Sequence, residues 1–272
     1  MTKEEKLGKE TTKILKDNFK MELCTPAPKP FIDSEKNTIL FIGMNPAGNE
    51  YDVKREKETE GLFLNYYKEL NSLDESWFCN NDSKEKIKAF IYKPYFKPIL
   101  EFFEEVTGKD KIAWEWCNRD FSDLIKTIKR VRNIDTEEEK ILKICYDRYK
   151  FSDYQIVMRD LVYYHQTADF NKILKPKNDK TVQETIRKAL EEYIKTIPED
   201  KLKLIYVSSA TSCNYLEEAL KSYSCSMDEK YGAMYFNNIP VIFAGRALNG
   251  AGVIDKYSKN RLKFAVKELL NK

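Results

Sequence analysis

Apolar positions follow two rhythms along this chain. Between residues 3 and 23, Leu7, Ile14, Leu15, Phe19 and Leu23 recur at helical spacing, and Pro26-Ala27-Pro28-Lys29-Pro30 then forms a stiff extended connector. A helix within 1–30 is expected. The rhythm changes at Thr38-Ile39-Leu40-Phe41-Ile42-Gly43, a continuous apolar run stopped by glycine and then Pro46. Such a run predicts a strand buried on both faces of a parallel sheet. Residues 61–150 return to helical spacing and predict helices over 62–70, 87–91, 98–106, 121–132 and 137–149, with their balanced charges on solvated faces. Beyond them the pattern predicts a strand in 154–163, a helix over 181–196, a strand at 203–209 and a helix at 214–221. A short hairpin strand at 233–236, a strand at 239–245 and a final helix over 258–270 complete the chain.

Strands alternating with helices argue for a three-layer α/β/α fold with a mostly parallel four-stranded central sheet and right-handed crossovers. The expected organisation is one domain over 1–272, with an N-terminal helix in 1–30 and a helical insertion at about 65–150. In such sheets ligands bind beyond the carboxyl ends of the strands, at the point where the strand order reverses.

Composition sharpens where to look. Five of the nine glycines fall in two short stretches, Gly43 with Gly48 and Gly245 with Gly250 and Gly252, and none lies between Gly108 and Gly232. Glycine serves where backbone turns with positive φ or approaches a ligand closely, so both stretches are site candidates, with ordinary tight turns as the alternative. Both are predicted at strand carboxyl ends.

Forty-seven Lys and Arg against 44 Asp and Glu give a net charge of +3, which excludes a polyanion-coating protein and an acidic disordered tail. Six cysteines form no C-x-x-C pair, so a zinc knuckle is not expected. The single histidine, His165, excludes a His-rich metal site, and a Ser-His-Asp triad could be built only around it. No metal and no cofactor are expected. The charged N-terminus and the lack of any run of about 18 apolar residues lead to the expectation of a soluble, cytoplasmic, thiol-reduced protein with no membrane partner.

The loop after the first strand reads Gly43-Met44-Asn45-Pro46-Ala47-Gly48-Asn49-Glu50. It has too few glycines for a dinucleotide fingerprint and lacks the Lys-Ser/Thr of a P-loop. It resembles the first motif of the uracil-DNA glycosylase superfamily, in particular the mismatch-specific branch, whose strand ends in Gly-Ile/Met-Asn-Pro-Gly. Ala47 stands where that branch has glycine, and Gly48 follows one place later. In that superfamily a second strand ends in a polar residue that reads the flipped base, and Val157-Met158-Arg159-Asp160-Leu161-Val162 is similar. A third strand runs into a helix, as 204–221 does here. The fourth strand leads to a loop built around His or Asn, Pro, Ser and a Leu that wedges into DNA. Here that stretch is Ala244-Gly245-Arg246-Ala247-Leu248-Asn249-Gly250, which keeps Leu248 but has Ala244 at the His or Asn position. The resemblance runs from about residue 38 to the C-terminus, outside the helical insertion.

The resemblance implies cleavage of the N-glycosidic bond of a flipped, damaged or mismatched base, with DNA as partner. The sugar acquires oxocarbenium character while the departing base gathers negative charge. Asn45 is the candidate that orients water through its carbonyl oxygen, with Glu50 or Asp52 available as a carboxylate; its alternative is a turn residue ahead of Pro46. Gly43, Met44, Phe63 and Asp160 are the candidate base-binding residues, Phe63 as a stacking ring or else as core packing. Asp160 would accept protons from exocyclic amines and repel a uracil carbonyl, which argues against uracil. His165, just beyond that strand, could contact phosphate or base, or be structural.

Gly245, Arg246, Leu248, Asn249 and Lys256 are the candidate DNA-binding residues. With Ala244 lacking a donor, a backbone N–H of the glycine-rich loop or Arg246 must meet the leaving base; Arg246 could instead hold a phosphate or sit in solvent. Leu248 is either a wedge or packs under the final helix. Residues 251–272 carry six basic against two acidic residues, with Lys256, Lys259, Arg261 and Lys263 opening the final helix, which supports polyanion contact alongside the plainer reading of a solvated basic face. Some superfamily members carry a four-cysteine iron–sulfur cluster; these spacings do not reproduce it, and no cluster is expected. Two other readings stand beside the hydrolase. One is a superfamily member without the reaction that binds nucleic acid or a nucleobase, favoured by Ala244 and Asp160. The other is an enzyme acting on a nucleoside or nucleotide, with the helical insertion as a cap.

Overall fold

The computed structural model describes residues 32–43, 78–81, 83–88, 96–114, 121–160, 180–208, 210–221, 225–246, 248 and 254–272. In chain order its elements are β1 (Asn37–Gly43), α1 (Ser83–Lys86), α2 (Phe96–Thr107), β2 (Ala113–Trp114), α3 (Ser122–Val131), α4 (Thr136–Phe151) and β3 (Tyr154–Asp160). There follow α5 (Lys180–Lys195), β4 (Leu202–Val207), α6 (Ala210–Lys221), β5 (Ser226–Asp228), β6 (Ala233–Phe236), β7 (Ile239–Phe243) and α7 (Lys256–Leu270). The helices expected within 1–30 and over 62–70 lie outside the described residues.

The strands join in one sheet of order β2-β3-β1-β4-β7-β6-β5, parallel from β2 to β7 and antiparallel from β7 to β5. The four long strands expected from the sequence form its centre. The sheet is wider than expected because β2, a two-residue strand, pairs with β3 at one edge, and the β5–β6 hairpin closes the other. At Asn237 and Asn238 both φ angles are positive, 52° and 65°, as a tight two-residue turn between β6 and β7 requires; asparagine tolerates that region.

Continuous apolarity in β1 reflects burial on both sides. Ile39 and Phe41 face one layer, made by α2, α3, α4 and α7, where Phe102, Phe103, Trp114, Phe121 and Val266 fill the core. Leu40 and Ile42 face the other, where Leu190 and Tyr193 of α5 and Leu216 and Leu220 of α6 pack. The segment expected as a helical insertion thus supplies the larger part of one layer of the sandwich and an edge strand. Phe41 and Tyr206 stack at 5.3 Å between ring centroids, and Phe102 and Phe103 approach Tyr206 at 5.7 and 5.2 Å. The Tyr206 hydroxyl is buried with no hydrogen-bond partner among the described residues, and burial holds its ionisation far above the ordinary tyrosine range.

A polar network ties the amino ends of the strands. Gln155, wholly buried on β3, accepts the Asp33 N–H at 3.0 Å and donates to Asp33 O at 2.6 Å and Thr38 Oγ1 at 2.9 Å. Thr38 Oγ1 donates to Lys36 O at 3.1 Å, and Lys36 Nζ donates to Tyr149 O at 2.5 Å. Arg148 on α4 donates to Ile112 O at 2.8 Å and pairs with Glu104, so the end of α4 is joined to α2 and to the start of β2. At the opposite end of α4, Arg132 and Glu138 form a buried ion pair whose guanidinium also donates to Phe78 O at 3.0 Å.

Candidate functional site

The strand order places a reversal at the centre of the sheet. From β1 the chain proceeds to β2 and β3 on one side through α2, α3 and α4; from β3 it crosses to β4 and then β7 on the other side through α5 and α6. The helices that follow β1 and β4 pack on opposite faces of the sheet, and open α/β sheets bind ligands beyond the carboxyl ends of strands at such a reversal.

The residues at that edge are fixed by the strand registers. Gly43 ends β1 opposite Asp160, the last residue of β3. Ile42 O accepts the Ser208 N–H at 2.9 Å, and Val207 O accepts the Ala244 N–H at 3.0 Å. Asp160, Gly43, Ser208 and Ala244 thus lie in a row across the four central strand ends. With adjacent strands about 4.8 Å apart, Gly43 and Ala244 stand about 10 Å from each other across Ser208. The two glycine-bearing stretches expected to form one cleft do leave from this common edge.

Gly245 adopts a left-handed conformation, φ +66°, and a Cβ there would meet no atom within 4 Å. Its glycine therefore serves the turn itself. That turn aims its N–H at Cys213 Sγ, 3.3 Å away, while the Cys213 thiol lies 3.4 Å from Val207 O and donates to it. Burial pushes the Cys213 thiol up to about 11, so it is a neutral strut between α6 and the two strand ends and no nucleophile near neutral pH. The N–H groups of Ala244 and Gly245 are both engaged within the protein. Of the replacements expected for the missing His or Asn, these two donors are already committed, whereas Arg246 is exposed.

Leu248 is 3% exposed and belongs to the core cluster that contains Leu262, Ala265 and Val266 of α7. Of its two expected roles, packing under the final helix is the observed one; a wedge would have to leave this core. Lys256 is the exposed first residue of α7, whose start is fixed by Asp255 accepting the Tyr257 and Ser258 N–H groups, each at 3.0 Å. Met44, Asn45, Glu50, Asp52, Phe63, Asn249 and His165 lie outside the described residues, and of Asp160 only the backbone is described.

Ser208 and Cys213 were not among the residues expected at the site. Ser208 sits where the third strand ends between the two glycine stretches, a signal that strand order alone reveals. Arg159, buried on β3 next to Asp160, places its guanidinium 5.9 Å from the centre of the Tyr193 ring. Among the described residues no cluster of His, Cys, Asp or Glu is arranged to hold a metal ion. No helix among them is long and apolar enough to cross a membrane. Comparisons with family models, with curated proteins and with solved structures returned no match.

Proposed function

We propose that this protein is a DNA glycosylase-like hydrolase, a divergent member of the uracil-DNA glycosylase superfamily that acts on a flipped damaged or mismatched base. The observation that carries the reading is the common origin of the two motif loops. Gly-Met-Asn-Pro begins at the end of β1 and Ala-Gly-Arg at the end of β7, on either side of Ser208 at the reversal of strand order. A base entering there meets the first motif beside its sugar and the second beside its leaving edge.

The C1′–N bond breaks with its electron pair going to the base, and water adds to C1′ and gives up a proton. Asn45 orients that water through its side-chain oxygen, and Glu50 or Asp52 accepts the proton. With the Ala244 and Gly245 N–H groups engaged, Arg246 is the donor that meets negative charge on the departing base. Asp160 at the end of β3 directs choice toward a base bearing an exocyclic amine and away from uracil.

Ala244 and the two engaged N–H groups favour one further reading, a member of the same superfamily that binds nucleic acid or a nucleobase without cleaving it. Incubation with oligonucleotides containing mismatched adenine or cytosine, which bear exocyclic amines, beside uracil, hypoxanthine, xanthine and mismatched thymine, which do not, followed by scoring of abasic sites, separates the two. Cleavage of at least one base, reduced on the order of 100-fold in Asn45→Ala, is expected. Salt-sensitive binding with no abasic product selects the binding reading, and cleavage indifferent to Asn45→Ala removes that residue from the site.

A further inference from the structure

Beside the exit of β7, a groove of about 650 Å³ runs between the turn ahead of β6 and α7, lined by Lys230, Tyr231, Ala244, Arg261 and Phe264. One stripe of α7 presents Tyr257, Arg261 and Phe264, four and three residues apart and so on a single face. Tyr257 is 78% exposed and Phe264 58%, an unusual display for a helix whose opposite face closes the core. Tyr231 extends the apolar surface, its ring 6.4 Å from that of Phe264, with Lys230 and Lys272 over it at 4.7 and 4.6 Å.

We infer that this groove is a track for single-stranded nucleic acid, and that the protein takes its substrate as an unpaired strand. Three observations carry this. Aromatic faces interleaved with cations match bases alternating with phosphates, because every unpaired base offers a π-face and every linkage a charge. In a duplex those faces are stacked and out of reach.

Charge favours a polyanion over an apolar partner. From Ile254 to Lys272 six basic residues stand against Asp255 and Glu268; Lys263 pairs with Glu105 and Lys272 with Asp228, and Lys256, Lys259, Arg261 and Lys267 form no ion pair among the described residues. Asp255 caps α7, and Glu268 accepts the Tyr231 hydroxyl at 3.2 Å. The third observation is Leu248. With that side chain inside the core, the loop after β7 presents no leucine to replace a base extruded from a duplex, whereas an unpaired strand requires no such filling.

The inference rests on the nucleic-acid part of the proposed function, not on hydrolysis, and narrows its substrate class to a damaged base in an unpaired strand, since a mismatched base exists only in a duplex. Fluorescence anisotropy with a labelled 12-nucleotide thymidine strand and a mixed-sequence duplex of equal length tests it. The single strand is expected to bind more tightly. Phe264→Ala and Tyr257→Ala should each weaken it on the order of 10-fold, with Phe264→Trp restoring binding. Arg261→Ala should lower the dependence of log K on log salt by about one. These side chains are exposed, and unchanged thermal melting of each variant confirms its fold. Equal or tighter duplex binding overturns the inference, as does single-strand binding indifferent to both rings. Self-association lost in Phe264→Ala, with strand binding unaffected, overturns it in favour of a second copy of this chain. Because the readout is binding, its failure is separable from failure of hydrolysis: ring-dependent strand binding without abasic product upholds the track and removes the reaction, and cleavage without ring dependence does the reverse.

Discussion

The described residues tie the two ends of the sheet in different ways. At the amino end Gln155, Thr38, Lys36 and Asp33 exchange a chain of side-chain hydrogen bonds, and Arg148 joins it to β2. At the carboxyl end the described contacts between strands are backbone bonds ending at Ser208 and Ala244, with one cysteine as a strut. Among the described residues, side-chain amide, hydroxyl and ammonium groups carry the connection where the strands begin, and a glycine turn with a buried thiol carries it where β4 and β7 end.

Breaking the amino end should have the largest effect. Gln155→Leu preserves volume but strips partners from the Asp33 N–H and C=O and removes the donor whose hydrogen bond Thr38 Oγ1 accepts. The expected loss is about 3 kcal/mol in urea unfolding, since each buried group left unsatisfied costs about 1–3 kcal/mol. A loss below about 1 kcal/mol would show that the network does not hold this end.

Midway along the sheet the expected sign reverses. Tyr206→Phe removes a buried hydroxyl that has no partner while keeping the stack on Phe41, so stability should rise by about 1 kcal/mol. A thermal midpoint that falls instead would show that the hydroxyl is hydrogen-bonded in solution.

The carboxyl end should contribute least near neutral pH. Cys213 ionises at about 11 in the folded protein against an ordinary value of 9.0, because its burial disfavours the thiolate. Below pH 9 the thiol is protonated in folded and unfolded chains alike and its contribution is fully present; it is lost as pH rises toward about 11. Cys213→Ala should therefore flatten the fall in stability between pH 9 and 11. At pH 8, brief alkylation followed by mass mapping should find Cys213 unmodified in the folded protein.

Legibility in the sequence follows the same division. β1, β4, β6 and β7 were readable because burial demands apolar residues at successive or alternating positions, and the observed bounds fall within two residues of those expected. Ala113–Trp114 is too short to show any period, and Ser226–Asp228 faces solvent at a sheet edge, so neither carried a pattern. Both glycine stretches were expected at strand carboxyl ends, and Gly43 and Gly245 lie there. Leu248 was ambiguous because an exposed wedge and a core leucine are the same letter, and only the position of α7 decides between them. Tyr257 and Phe264 were hidden for the opposite reason: an aromatic in an amphipathic helix reads as core until the buried face is known to be the one carrying Leu262, Ala265, Val266 and Leu269.

The order of the strands also sets a timetable for synthesis. β1 is made before either strand it pairs with, and the network that secures it joins Thr38 to Gln155, 117 residues later. At about 5–20 residues per second, this apolar segment waits on the order of 6–23 seconds on the ribosome for its first long neighbour. Shielding during translation, more than the depth of the finished core, would then govern how much of the chain reaches its native state.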